Sequence, residues 1–517
     1  MLYWPPLMTA LWPLAAFPVL LVVLLMTVLH WPAARAGLAG LIAAMVVSAV
    51  WFGADLSVQG VALARGGLMA LDVLPIVWGA YAFYRVTADA GAIDALTEVL
   101  PELTPSRGLQ ALVIGWAFAS FLQGVGGFGV PVAVTAPILA GLGFPPLTAV
   151  LVPSIGHAWA VTFGSLASSF IAMVAATGEP GSSLAPASAL ALGAVGIGCG
   201  FGAAQAAAGW RETARHSLVI LIMGAAMGLS LYALASLGLW PIASVGAGLA
   251  GMAVGLIVAG RRAPEAATLK RLGFGLLGYL VLVGLVSLVQ FVPALRSALN
   301  VWTIDVALPP TATVLGHGMS AAIYRFAPLG HTGMLLVYSA LLAYALYRCR
   351  GSALRSGSVR RIVSDTARTM VPVTLGILTM VALAAVMEQA GMIQALAEAL
   401  AGAAGNGFAL VSPWIGALGA FVTGSNTSSN LMFGALQADT AGLLGLNVPL
   451  VLALQNVGGA LGSVVSPTKV IVAVSTLGLA GQEGRVMRPL GRALAVLLLL
   501  TTLAVALGLL LGVLQST

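Results

Sequence analysis

Seven residues in this chain carry more hydrogen-bonding chemistry than their surroundings can explain. Gly424–Asn430 reads GSNTSSN, and it is flanked by the apolar runs Ile415–Val422 and Leu431–Leu436. Ser425, Asn426, Thr427, Ser428, Ser429 and Asn430 are all hydroxyl or amide side chains. Such a cluster can hold a small anion through its donors or a cation through its oxygens. Hydrogen bonding between helices is the structural alternative. A second unusual stretch is QGVGGFGVP, Gln123–Pro131. Its glycines, among them Gly124, Gly126 and Gly127, tolerate the dihedrals of a broken helix and leave backbone N–H groups open to a ligand. Helix N-termini at such breaks suit a carboxylate.

Three ionisable side chains lie in apolar surroundings, where they are expensive and mark function by default. Lys469 is expected either to bind a carboxylate or to snorkel from a helix end. His157, with an ordinary pKa of about 6.5, could carry a coupling proton; a neutral ring bonded to a backbone carbonyl is the other reading. Asp72, just before Pro75, reads as a proton carrier or as a static partner of Arg65 or Arg85. Gln455 and Asn456 are further polar candidates, Asn456 standing 299 positions after His157. The spacing supports no nucleophile–base pair. Cys199 and Cys349 have no metal or redox spacing. No catalytic residue, metal or cofactor is expected, and the chain does not read as an enzyme.

What positions these residues is a membrane. The chain has 517 residues, 60% of them hydrophobic and 7% charged, and its mean hydropathy is +1.05. A soluble domain carries about 25% charged residues, so an all-α polytopic membrane protein is the class that fits. The net charge of +7 does not call for nucleic acid, because basic residues gather in cytoplasmic loops. Reading for stretches of about 20 apolar residues gives twelve expected crossings, from Leu7–Leu29 to Leu490–Leu514. The run Leu7–Leu29 lacks the basic leader of a secretory signal. Clusters at Arg261–Arg271 and Arg348–Arg368 should be cytoplasmic, and counting outward places both termini outside.

The chain also repeats itself. AGAIDALTEVL at 90–100 matches AGMIQALAEAL at 390–400, and SFLQG at 120–124 matches AFVTG at 420–424, both at an offset of 300. The expected topology gives the two copies opposite orientation. Inverted repeats are a signature of secondary transporters, with the substrate site at the repeat interface. Each copy reads as a short amphipathic helix followed by a re-entrant hairpin, whose non-helical tip must face protein or a water-filled cavity. The expected organisation is then N-terminal helices (1–65) and repeat 1 (66–210) with a cytoplasmic-side hairpin near 107–142. Central helices (211–347) and a basic cytoplasmic loop (348–368) follow. Repeat 2 (369–480) has an external-side hairpin near 408–443, and a C-terminal helix (481–517) ends the chain.

Three long motifs resemble the signatures of the bacterial lactate permease family. They are SFLQGVGGFGVPVAVTAPILAGLGFPPLTAVLV, GALGAFVTGSNTSSNLMFGALQ and VGGALGSVVSPTKVIVAVSTLGLAGQEG. The resemblance covers nearly the whole chain. It implies a permease importing lactate or glycolate, generally by proton symport, in the bacterial inner membrane. A more distant similarity, in the Ser-Asn-Thr of the second tip, is to sodium-coupled dicarboxylate transporters with an elevator-like motion. The chain departs from the family pattern at four places. Gln123 stands where Glu is usual, and Asn426 where Asp is usual. His157 lies in a stretch usually rich in Asn/Thr-Ala-Pro, and Lys469 replaces an uncharged residue. The amides favour the alternative of a sodium-coupled or uniport carrier of another organic anion, such as a sulfonate. The implied partners are a small organic anion, a proton or sodium and the bilayer, with a homodimer left open.

Overall fold

A computed structural model describes residues 11–29, 31–103, 106–127, 129–258, 265–352, 354, 357–466, 469–470, 473–474, 477, 479 and 483–510. The chain is mostly helical, as its composition requires: a backbone in hydrocarbon must satisfy its own hydrogen bonds. Among the described residues nine helices are long and apolar enough to cross a membrane, or ten if one bent pair counts as a span. The expected number was twelve. Several candidates, such as Val448–Val464 and Gly333–Cys349, are shorter apolar helices of 17 residues or fewer.

The first helices are α1 (Trp12–Thr27), α2 (Ala33–Trp51) and α3 (Leu56–Asp89), followed by the short α4 (Ala92–Leu103). Asp55 starts α3 by accepting the Val58 N–H at 2.8 Å, which satisfies one of the free donors of the first turn. A long mixed helix, α5 (Arg107–Val125), has a π-helical middle at Ala111–Phe118 and returns through α6 (Val130–Gly141). Next come α7 (Pro146–Gly156) and α8 (Gly164–Thr177), bent by 44° across the break between them. Then follow α9 (Gly181–Arg215), α10 (Ser217–Ser236), α11 (Trp240–Val258), α12 (Ala266–Phe291) and α13 (Pro293–Leu299).

A β-hairpin interrupts the helices, which the all-α reading did not anticipate. Its strands are β1 (Ile304–Leu308), β2 (Thr311–Ala312), β3 (Gly318–Met319) and β4 (Ala322–Phe326). β1 pairs antiparallel with β4, and β2 with β3. Arg325 grips both Asp305 oxygens at 2.8 Å, and this holds the Asp305 carboxyl below the usual carboxylate range. The tip reaches back to the helices: Val314 N–H donates to Gly53 O at 3.0 Å, and the His317 ring meets Glu388 O at 3.1 Å.

The chain continues through α14 (Thr332–Cys349), α15 (Ser358–Gln389), α16 (Met392–Ala404), α17 (Phe408–Thr423), α18 (Asn426–Leu443), α19 (Val448–Val464) and α20 (Glu483–Leu510). The long helices α3 and α15 pack antiparallel. Arg65 pairs with Glu388 at 3.2 Å, Trp78 Nε1 donates to Thr374 Oγ1 at 2.9 Å, and Arg85 pairs with Asp365 at 2.8 Å. Arg85 also pairs with Asp89 at 2.9 Å. Both arginines proposed as braces for Asp72 therefore have other partners; the Asp72 side chain lies outside the described residues.

The element order after α3 recurs in part after α15: a short helix, a helical pair around a tip, then a further helix, α7 in the first series and α19 in the second. The turns that open the two series match closely. Gly91 and Gly391 both sit at φ +79. Gly91 N–H donates to Ala88 O at 2.9 Å and Gly391 N–H to Glu388 O at 3.0 Å, while Ala95 and Ala395 each donate back to the glycine carbonyl at 3.1 Å. A left-handed C-terminal turn of this kind needs a residue without Cβ strain.

Candidate functional site

The two tips and the broken α7–α8 pair meet. α18 begins right after the left-handed Gly424 (φ +72), and its N-cap Ser425 accepts the Ser428 N–H at 3.2 Å. Its first residues are buried, so free donors of its first turn face the protein interior rather than water. α8 starts with three consecutive non-glycine residues in the left-handed region: Ser165, Leu166 and Ala167, at φ 45, 56 and 66. Such residues cost of order 1 kcal/mol or more each, and they persist where surrounding structure imposes them. Here Gln123 and Gly127 pack directly against Gly164 and Ser165. Gly127, at φ +54, is pressed so closely on Ser165 that a side chain would displace it.

Between these elements lies a cavity of about 310 Å³. One wall is polar: Gln123 at the end of α5, Ser165, Ser168 and Ser169 on α8, Thr423–Ser428 at the second tip, and Lys469. The opposite wall is apolar and comes from α15: Pro372, Val373, Gly376 and Ile377, with Val161 beside it. Lys469 contributes the one charged side chain among the described lining residues. Its Nζ donates to Ser463 Oγ at 3.0 Å.

Behind the polar wall, a network fixes the second tip. Asn426 Nδ2 donates to Thr162 Oγ1 at 3.0 Å, which donates to Asn456 O at 3.1 Å. Asn430 Nδ2 donates to Asn456 Oδ1 at 2.7 Å and to Ser169 O at 2.9 Å. Asn456 Nδ2 donates to Ser188 Oγ at 3.1 Å. The Thr427 and Ser169 hydroxyls are 2.9 Å apart. Gln455 Nε2 donates to Ser429 Oγ at 3.2 Å, and Gln437 Nε2 donates to Gln455 Oε1 at 2.8 Å. Three acceptors on α18 meet no donor among the described residues although they are buried: Asn426 Oδ1, Asn430 Oδ1 and Gln437 Oε1. A buried acceptor left so costs roughly 1–3 kcal/mol.

The structure thus brings together Gln123, Ser425, Asn426, Thr427, Ser428 and Lys469 in one lining. Ser429, Asn430, Gln455 and Asn456 support it from behind. Gly124 is a packing glycine, since a Cβ there would lie 2.6 Å from Val245 N, and Gly126 adjoins Val130. His157 sits in the break after α7, is 3% exposed and donates from Nδ1 to Pro153 O at 2.6 Å. It is not among the lining residues. Sequence reasoning did not single out Ser165, Ser168 and Ser169, or the α15 wall. A signal was present in the hydroxyl-rich GSLASS at 164–169.

The sequence profile of the L-lactate permease family matches residues 12–271 and 274–512. The chain belongs to the L-lactate permease family. Among similar family proteins is an L-lactate permease of Salmonella typhimurium, 27% identical over 456 residues (80% of this chain, 81% of that one). An L-lactate permease of Bacillus subtilis is 27% identical over 503 residues, 88% of each chain. A glycolate permease of Escherichia coli is 26% identical over 521 residues, 92% of this chain and 91% of that one. Among solved structures, the fold resembles that of the Neisseria gonorrhoeae efflux pump MtrF, with a TM-score of 0.50 at 13% identity, covering 94% of this chain and 97% of that one. This L-lactate permease family member is an integral membrane protein.

Proposed function

We propose that the protein is a secondary-active permease of the bacterial inner membrane that imports a small 2-hydroxy monocarboxylate, such as lactate or glycolate, together with a proton. The observation that carries this reading is the presence, in one small cavity, of a single charged side chain among the described lining residues, Lys469, together with the hydroxyls and amides of the second tip. Lys469 and the start of α18 suit a carboxylate. The hydroxyls of Ser425, Thr427 and Ser428 complete its shell. A 2-hydroxyl then bonds with the amides that line the same cavity, Gln123 and Asn426. A methyl group rests on Val373 and Ile377.

The cavity lies between α15 and the elements bearing the tips, the expected site location in an inverted-repeat carrier. The antiparallel α3 and α15 support that inversion. Twelve crossings, external termini and an elevator motion of the tip-bearing elements against α15 belong to the same reading. The test is uptake of labelled lactate and glycolate into proteoliposomes under an imposed pH gradient. Uptake that is stimulated by an acidic exterior is expected. No transport of any 2-hydroxy acid would sink the reading.

One observation favours a second coupling ion. Asn426 and Asn430 are one helical turn apart on α18, and neither amide oxygen meets a donor among the described residues. Carboxamide oxygens are sodium-type ligands. Uptake that collapses when sodium is replaced by choline would select this alternative.

A further inference from the structure

We propose that Lys469 itself carries the coupling proton, alternating between an ammonium that binds the substrate carboxylate and a neutral amine when the cavity is empty. The proposal rests on the transport reading and names the group through which that reading is coupled. It starts from a census of the cavity. From α5 comes the amide Gln123; from α8 come Ser165, Ser168 and Ser169; from the second tip come hydroxyls and the amide Asn426; from α15 come Pro372, Val373, Gly376 and Ile377. None of these can take up or balance a charge. The hydrogen-bond partner of Lys469 is the Ser463 hydroxyl on α19, and no ion pair to Lys469 is found among the described residues.

His157 is turned to Pro153 O and is not among the lining residues. On α3 and α15, Arg65 pairs with Glu388, and Arg85 with Asp89 and Asp365; Arg360, Arg361 and Arg368 of α15 and Asp439 of α18 are not among the lining residues. The Asp72 side chain lies outside the described residues.

A lone cation in such a cavity has two affordable states. It can sit against a carboxylate, giving a neutral pair, or it can lose its proton, giving a neutral amine. An empty cavity with a charged lysine is the costly state. The cycle follows and its charges balance. On the outer side the amine takes a proton from water and the resulting ammonium binds the anion. After reorientation the carboxylate leaves, the ammonium returns its proton to water on the inner side, and the neutral empty cavity goes back. One carboxylate and one proton cross together, with no net charge moved. Exchange of one anion for another needs no deprotonation, because the loaded state moves in both directions.

That difference makes the proposal testable with Lys469→Arg, whose guanidinium keeps the positive charge but does not deprotonate in a protein. In proteoliposomes, two modes are compared for labelled lactate: exchange against internal lactate, and net uptake driven by an imposed pH gradient. For Lys469→Arg, exchange within about ten-fold of the wild type is expected, with net uptake falling by about 100-fold or more. Net pH-driven uptake retained at the level of exchange would overturn the proposal and leave the transport reading standing. Exchange absent from the wild type would overturn both.

If Arg is too bulky for exchange as well, a second measurement decides. The chain has only two lysines, Lys270 and Lys469, so modification by an amine-reactive acylating reagent is read site by site by mass spectrometry. Acylation needs the neutral amine. Labelling of Lys469 in wild-type protein that increases with pH and is suppressed by lactate supports the proposal. Labelling indifferent to lactate, or absent while Lys270 reacts, overturns it.

Discussion

At the scale of single residues, the cavity reads its ligand through few atoms, and Asn426 is the most exposed to test. Its Nδ2 is used by Thr162, and its Oδ1 meets no donor among the described residues. If this lining amide bonds the 2-hydroxyl, Asn426→Ala should lower the preference for lactate over propionate, which has no hydroxyl. A neutral hydrogen bond of this kind is worth about 0.5–1.5 kcal/mol, so the preference should shrink by roughly three- to ten-fold. Competition of the two acids for labelled lactate measures it, and an unchanged preference would remove Asn426 from the contact. Asn426→Asp should weaken lactate binding by about ten-fold or more, because a carboxylate in the lining competes for Lys469; ligand-dependent thermal stabilisation reads that directly. The GSNTSSN cluster was legible because amides and hydroxyls are conspicuous in an apolar chain. Ser165, Ser168 and Ser169 were less so, because scattered serines in a membrane helix more often bond their own backbone. What brings them inward is the left-handed start of α8, a tertiary feature imposed by contacts with Gln123 and Gly127.

At the scale of elements, the short helices α4 and α16 were readable from their matching sequences, and their entrances have the same geometry at Gly91 and Gly391. Their surroundings differ. A Cβ on Gly91 would meet nothing within 4 Å, whereas one on Gly391 would lie 2.9 Å from the His317 ring. Gly91→Ala should therefore cost only the left-handed strain, about 1–2 kcal/mol. Gly391→Ala should cost more, since the ring that contacts Glu388 O must also move. Thermal midpoints of the two variants in the same detergent give the order, and equal losses would mean that the hairpin contact contributes nothing. The hairpin itself escaped the sequence reading for a physical reason. IDVAL and AIYRF are short, and their side chains are at most partly buried. Without a buried face they lack the strict apolar alternation that identifies a strand, and they fell between two spans as apparent linker.

At the scale of the whole molecule, the apolar composition made the membrane class legible, whereas the expected twelve crossings exceed the nine or ten spanning helices among the described residues. One of those helices is the Arg107–Val125 arm expected as half of a hairpin, while among the described residues the expected crossings at 7–29, 331–347 and 449–477 are represented by shorter apolar helices (Trp12–Val22, Gly333–Cys349 and Val448–Val464). α6, with 12 residues, is only about 18 Å long and cannot cross a hydrocarbon core of about 30 Å. The composition of such segments is that of a span, so length alone misleads. Orientation is testable with residues already present. Cys349 is exposed at the end of α14, beside Arg348 and Arg350, whereas Cys199 is buried. Val314, at the hairpin tip, is 86% exposed. If α14 crosses the membrane with its arginines inside, a membrane-impermeant maleimide added to right-side-out vesicles should label a Val314→Cys variant on that residue and spare Cys349. In inverted vesicles the pattern should reverse. Because the two positions flank a single helix, labelling of both from one side would mean that α14 does not cross, and the opposed orientation of the two repeats would lose the parity on which it depends.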